Sequence, residues 1–322
     1  MSGADEFEVI RELFAPLALS PGARSLLDDA AVLDTCGPLV ITTDAIVEGV
    51  HFLAADPIAT VAQKALRVNL SDLAAKAATP IGYLLTLLWP EDRPASELAG
   101  FAEGLAKDQA EFSIPLLGGD TVSTPGPLAV SVTAFGALEG ARAPDRRAGG
   151  AGQDLWVSGV IGDGWLGLQA ARSGEHPRRD RLIARYRTPE PRLTLAPLLR
   201  LHAAAAMDVS DGLLADAAKL AQASGLAAEL DLKALPLSPE GEIHAAGGEA
   251  RLLELARGGD DYEILFSAES EARGAIEAAQ AGLPYRLTRV GRLLPGSGLR
   301  LVGLTGAVQE APPRGFAHRL GR

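Results

Sequence analysis

The sequence holds a single cysteine, Cys36, so no disulfide forms within the chain and a reducing compartment is expected. It has neither HExxH nor a paired CxxC, which removes the common zinc signatures. The GxxxxGK[ST] loop is absent, as are the HRD and DFG set of protein kinases and the G-x-S-x-G turn of serine hydrolases. Any ATP handled here is therefore expected to be held through carboxylate–metal bridges rather than by a P-loop lysine. No apolar run reaches the roughly 18 residues that a membrane-spanning helix needs. The segment MSGADEFEVIRELF is acidic and lacks the basic-then-apolar layout of a signal peptide, so a cytoplasmic location is expected.

Positive charge is also in short supply. Against 30 Lys and Arg stand 41 Asp and Glu, a net charge of -11 over 322 residues. That balance disfavours nucleic acid and anionic membranes as partners. Hydrophobic residues make up 47%, which is ordinary for a globular chain, and the length suggests about two domains. A stretch rich in Gly, Arg and Ala at 139–154 reads as a hinge, giving an N-terminal domain over 1–140 and a C-terminal α+β domain over 150–322.

Periodicity fills in the elements. Phe7, Ile10, Leu13, Phe14 and Leu17 recur at helical spacing. AAVLD (30–34), PLVITTDAIV (38–47), IGYLLTLLW (81–89) and LAVSVTAFGAL (128–138) read as strands, and SIPLLGGD as a strand entering a turn. Helices are predicted from Pro57 to about Ala78 and from Ala95 to about Phe112. MDVSDGLLADAAKLAQASG reads as strand end, turn and helix, and YEILFSA as a strand. The AAAA run at 203–206 reads as packing or composition bias.

One local form recurs: an apolar strand ending in one or two aspartates beside Gly, Ser or Thr. It appears in LLDDAAVL, ITTDAIVEGVHF, PLLGGDTVS, AMDVSDGLL and RGGDDYEILF, and Asp72 adds a carboxylate within a predicted helix. Two readings stand at this point. Such pairs serve as turns and caps, or the short carboxylates gather hard cations and phosphates. Magnesium takes oxygen ligands, usually one or two carboxylates plus substrate phosphates. Converging carboxylates repel one another unless metals intervene, and the helix after MDVSDG offers free N–H groups to a phosphate.

Taken together and in order, TTDAIVEGVHF, KALRVNLSDLAA, LLGGDT, MDVSDGL and GGDDYEILF resemble the thiamine-monophosphate kinase family, over nearly the whole chain. That family is similar to aminoimidazole ribonucleotide synthetase. The resemblance implies a two-domain α/β (α+β) fold whose N-terminal domain builds an intersubunit β-barrel in a homodimer. It implies ATP and thiamine monophosphate as substrates, several Mg2+ ions, and thiamine diphosphate as product. By the same resemblance Asp29, Thr42, Thr43, Asp44, Asp72, Asp120, Asp208 and Asp211 match metal positions. Gly119, Asp120, Arg147 and Ser210 match ATP contacts, with Arg142 and Arg146 as neighbours able to replace Arg147. His51, Asp260 and Phe316 match substrate contacts. Asp28 and Asp261 are expected to support or cap, and Cys36 to be structural.

Three positions depart from the family pattern: Leu27 where Gly precedes the first Asp pair, Lys76-Ala77 where an apolar residue and Gly are frequent, and Asp260 where Glu is common. The implied chemistry is in-line phosphoryl transfer by positioning and charge, with no catalytic nucleophile or strong base on the protein. Aminoimidazole ribonucleotide synthetase, or a nucleotide sensor without turnover, is the alternative. Selenophosphate synthetase and hydrogenase-maturation relatives are disfavoured, because neither their N-terminal nor their C-terminal reactive Cys is present.

Overall fold

Alternating burial along AVSVTAFGA makes it a strand with one covered face, and LVITTDAIV pairs with it antiparallel. The computed structural model describes residues 6–27, 30–35, 37–139, 142–173, 179–312 and 315–316. These fall into two units, one of Met1–Leu73 with Ala78–Ala141, the other of Ala74–Ala77 with Arg142–Arg322.

In the first unit, β1 (Leu39–Val47), β2 (Thr79–Pro90), β3 (Leu116–Thr124) and β4 (Ala129–Ala137) form a sheet in the order β1-β4-β2-β3. Only β2 and β3 run parallel. The pleat sends Val130, Val132, Ala134, Tyr83, Leu85 and Leu87 to one buried face. Helices α2 (Ile58–Ala75) and α3 (Glu97–Phe112) cover it. Gln109 of α3 donates to the Tyr83 hydroxyl at 3.0 Å, and Phe101 meets Trp89 edge-on at 6.5 Å. Over the other face lies the N-terminal segment, made of α1 (Glu6–Val9), a π turn at Ile10–Phe14 and 3-10 turns at Ala15–Leu17 and Pro21–Leu26.

Three expectations are corrected here. The first amphipathic helix is broken into short pieces, because Pro16 lacks the N–H that a continuing helix would need. AAVLD forms no strand among the described residues; Val32 instead donates one bond to the Gly22 carbonyl at 2.9 Å. LLGGDT is not a strand end either. The Gly-Gly pair sits inside β3, in register with Leu84 and Leu85, so ladder pairing overrides the turn tendency of glycine.

The second unit is built on a seven-stranded sheet. Its elements are β5 (Asp154–Ser158), α4 (Asp163–Ser173), α5 (Arg179–Arg187), α6 (Ala196–His202), β6 (Ala203–Val209), α7 (Leu213–Ala223), β7 (Ala227–Asp231), α8 (Pro239–Ala245), α9 (Glu249–Arg257), β8 (Glu263–Ala268), α10 (Arg273–Ala279), β9 (Leu287–Leu294), β10 (Gly298–Val302) and β11 (Val308–Ala311). The strand order is β11-β10-β7-β9-β5-β8-β6, with β10 and β7 parallel. β5 and β8 are buried on both faces, which explains their unbroken apolar runs. The AAAA run is the first half of β6. The last turn of α2 belongs here: Ala74, Ala75 and Ala77 pack with Trp156 and Phe266, and Lys76 Nζ donates to the Ala206 carbonyl at 2.7 Å. No described helix is long and apolar enough to cross a membrane.

A buried ion pair ties α2 to α3. Arg67 reaches Asp108 through Nε at 2.7 Å and Nη2 at 2.8 Å, and Gln63 adds a bond at 2.6 Å. Asp108 is fully buried. Asp108→Ala should therefore lower unfolding stability by about 3–5 kcal/mol, because Arg67 keeps its charge without its main partner. The double variant Arg67→Met/Asp108→Leu should recover most of that loss in urea unfolding.

Candidate active site

β1 is an edge strand, so alternate N–H groups point away from the ladder. One of these, on Asp44, donates to Asn69 Oδ1 at 3.0 Å. Asn69 is fully buried on α2 and uses its own amide N–H to reach the Ala65 carbonyl at 3.0 Å, which fixes its orientation. Asp72 lies three residues further along α2, on the same side of the helix. Its Oδ2 accepts a 2.5 Å bond from the Thr42 hydroxyl. Thr42 and Asp44, two apart on β1, share a face. The structure thus brings Thr42, Asp44 and Asp72 together, with Asn69 beneath them. This donor set is all oxygen, which fits a hard cation such as magnesium.

Asp120 lies elsewhere in the same unit. Asp44 pairs across the ladder with Val132, Leu85 and Gly119, whereas Asp120 pairs with Thr86, Ser131 and Ala45. Asp120 therefore projects from the opposite face to Asp44, at the other edge of the sheet. There it borders a cavity of about 620 Å3, lined also by Phe14, Leu26, Leu84, Thr86 and Phe135. Thr43 shares that face, accepting from Thr133 Oγ1 and donating to the Val132 carbonyl, both at 3.1 Å. Among the described residues no group of three or more His, Cys, Asp or Glu is arranged to hold a metal ion. Asp28, Asp29 and Cys36 lie outside the described residues.

His51 closes a tight turn after β1. Its Nδ1 accepts from the Val47 N–H at 3.0 Å, so the neutral ring carries its proton on Nε2. Its carbonyl accepts from Lys64 Nζ at 2.9 Å, and Lys64 is buried on α2.

In the second unit, β6 runs into the turn Ser210–Asp211–Gly212 and then α7. Gly212 has φ 108°, a left-handed value that suits glycine. Asp208 is buried on β6 opposite Ile264. The loop 258–261 lies against this turn: Asp260 N–H donates to the Ser210 carbonyl at 2.9 Å, and Tyr262 N–H to Val209 at 2.8 Å. Asp260 itself holds φ 67°. The Phe316 N–H donates to the Asp211 carbonyl at 3.0 Å, and Phe316 is 46% exposed. Asp208, Ser210, Asp211, Asp260 and Phe316 are thus neighbours. Arg147 is not among them. It is exposed and paired with Asp145 at 2.7 Å, next to Arg146, whose carbonyl accepts from Ser224 at the far end of α7.

Asp261 is a cap. Its carboxylate accepts from Gly162 and Gly164 N–H at 2.8 and 3.0 Å, at the start of α4. Complete burial pushes its pKa up, against the pull of those two bonds. Asp211 has a partner that motif reading missed. Its carboxylate accepts from Lys219 Nζ, which also reaches Asp216 at 2.7 Å. Burial works against the Lys219 charge, but the two carboxylates outweigh it and hold the ammonium above its ordinary range. Lys219 sits three residues past Asp216 on α7, and that helix-face spacing is the signal that could have found it.

Residues 27–138 match AIR synthase related protein, N-terminal domain, and residues 150–302 match the C-terminal domain of the same group. A thiamine-monophosphate kinase of Caulobacter vibrioides is 46% identical over 300 residues, covering 91% of this chain and 85% of that protein. The solved structure of AaThiL complexed with AMPPCP and TMP superposes with TM-score 0.79 at 31% identity, covering 98% of this chain and 97% of that one. Escherichia coli HypE, a hydrogenase maturation protein, reaches TM-score 0.80 at 21% identity over 97% of this chain and 99% of its own, a likeness of fold alone. The fold is thus shared more widely than the sequence, and on sequence the chain belongs to the thiamine-monophosphate kinase family.

Proposed function

We propose that this chain transfers the terminal phosphoryl group of ATP directly to thiamine monophosphate, forming thiamine diphosphate. The observation that carries the reading is the Thr42–Asp44–Asp72 oxygen set, held by Asn69, in a chain 46% identical to a thiamine-monophosphate kinase. AaThiL, similar to this chain along almost its whole length, was solved with AMPPCP and TMP, an ATP analogue and the matching acceptor.

The sheet presents two oxygen-donor groups, one on each face: Thr42, Asp44 and Asp72 on the first, Thr43 and Asp120 on the second. These, with Asp29 and with Asp208 of the second unit, are the proposed metal ligands. Bound magnesium would offset the charge of two phosphate-bearing reactants. Asp211 does not fit the same role, since the Lys219 ammonium already holds its carboxylate.

His51 directs Nε2–H at a substrate phosphate, because Val47 fixes the tautomer and Lys64 fixes the backbone. Ser210, Gly119 and Arg147 contact ATP, with Arg147 leaving Asp145 to do so. Asp260 and the exposed ring of Phe316 contact the thiamine portion. The attacking phosphate oxygen is already ionised near neutrality, so the protein supplies position and charge rather than a general base. The N-terminal domain carries the metal and ATP groups and the homodimer contact. Ile41 and Val122, exposed on the face that bears Asp120, would be covered by the second copy in an intersubunit barrel. The lone cysteine accords with a cytoplasmic setting.

Incubated with ATP, Mg2+ and thiamine monophosphate, the purified protein should release one ADP per thiamine diphosphate. ADP release without the acceptor, or none with it, would count against the reading. Asp44→Asn and Asp120→Asn should each lower kcat by about 100-fold or more while far-UV circular dichroism is unchanged.

Asn69 gives a separate check. Asn69→Leu leaves the Asp44 N–H without its buried acceptor, at a cost of about 1–3 kcal/mol. Hydrogen exchange at the Asp44 amide should quicken and kcat should fall, although no metal ligand is removed.

A further inference from the structure

The turn Ser210–Asp211–Gly212 is held from three sides by one residue. The Asp211 carboxylate takes the Lys219 ammonium, its N–H donates to Asp216 Oδ2 at 3.0 Å, and its carbonyl takes the Phe316 N–H at 3.0 Å. Asp216 is fully buried, so its carboxylate needs a cation close by, and Lys219 serves both acids. A divalent ion at Asp211 would have to displace the ammonium and leave it beside a second positive charge. The C-terminal segment fits tightly over this turn: a Cβ on Gly315 would lie 2.3 Å from the Asp211 carbonyl oxygen and 2.6 Å from Ala215 Cβ.

We propose that Lys219 and Asp211 are positioning residues that seat Phe316, with Lys219 standing where a metal ion would otherwise balance Asp211. The inference deepens the reading above and rests on Phe316 as the contact for the thiamine ring. A side chain that only balanced charge would matter for stability alone. One that also fixes the Asp211 carbonyl controls where the chain at 315–316 sits, and so controls substrate affinity.

The test uses the full-length protein with Lys219→Met, Lys219→Arg, Asp211→Asn and Gly315→Val. Hydrogen exchange read by mass spectrometry should show the Phe316 amide protected in the parent and exchanging at least about tenfold faster in Lys219→Met. KM for thiamine monophosphate should rise about tenfold in Lys219→Met with kcat within about threefold, and Lys219→Arg should restore it. Gly315→Val leaves the Lys219 pair intact, so it should show the same KM rise and guards against misfolding of the lysine variant. Mn2+ titrated calorimetrically with a non-hydrolysable ATP analogue should give the same number of bound ions in Asp211→Asn as in the parent. One ion fewer in Asp211→Asn would overturn the proposal, as would an unchanged Phe316 amide in Lys219→Met or an unchanged KM in Gly315→Val. A parent protein inactive on thiamine monophosphate would sink the functional reading instead, and the exchange data would still decide how Phe316 is seated.

Discussion

An edge strand must find partners for the N–H groups that face away from its sheet, and at Asp44 that need is met by one buried amide. Water would satisfy the same donor, but it would leave β1 free to shift or to recruit another strand. Asn69 makes the contact from inside the protein, and its own N–H is already committed to Ala65, so its oxygen faces Asp44 in a set orientation. The same helix delivers Asp72 to Thr42 three residues later. The position of α2 rests in turn on the Arg67–Asp108 pair against α3. A core interaction remote from β1 thereby helps set where Asp72 stands relative to Thr42.

This dependence explains what could be read from the sequence. The strands around GYLLTLLW and AVSVTAF were legible because one-face burial leaves a period of two. The helix carrying NLSDLAA was legible for the same reason at a longer period. The acidic motifs were legible as residue types. Their place on the strands was not: Asp44 and Asp120 lie inside β1 and β3, where glycine and aspartate are poor strand formers kept in line by neighbouring ladders. Nor could local pattern show that the two project from opposite faces, since that follows from the order β1-β4-β2-β3 and its registers. Asp261 was read correctly as a support because it stands beside the first Asp of a glycine loop, where a second carboxylate more often caps than binds. Arg147 stands apart from Ser210 in this structure, paired with Asp145. Its neighbour Arg146 packs at the C-terminal end of α7, one helix length from Ser210, a distance set by tertiary packing that a linker sequence does not encode.

Several buried acids in both units are met by cations that offset their desolvation. In the second unit these cations are mainly arginines, and Asp261 is met instead by the Gly162 and Gly164 N–H groups. Asp163 and Glu240 share Arg181, Glu263 takes Arg185 and Arg192, and Asp154 takes Arg273. Such pairs offset the desolvation of the acid and fix the elements that carry it. In the first unit, Arg67 is spent in the same way on Asp108, away from β1. At β1 the Thr42 hydroxyl donates to Asp72, and the Asp44 backbone N–H donates to the Asn69 side-chain oxygen. Neutral partners of this kind orient the strand and the helix without adding charge. Asp211 carries the same residue type in an equally motif-like setting, and its carboxylate accepts from the Lys219 ammonium. Residue type and spacing nominate a metal ligand, and the cations already bonded to it are what a metal ion has to displace.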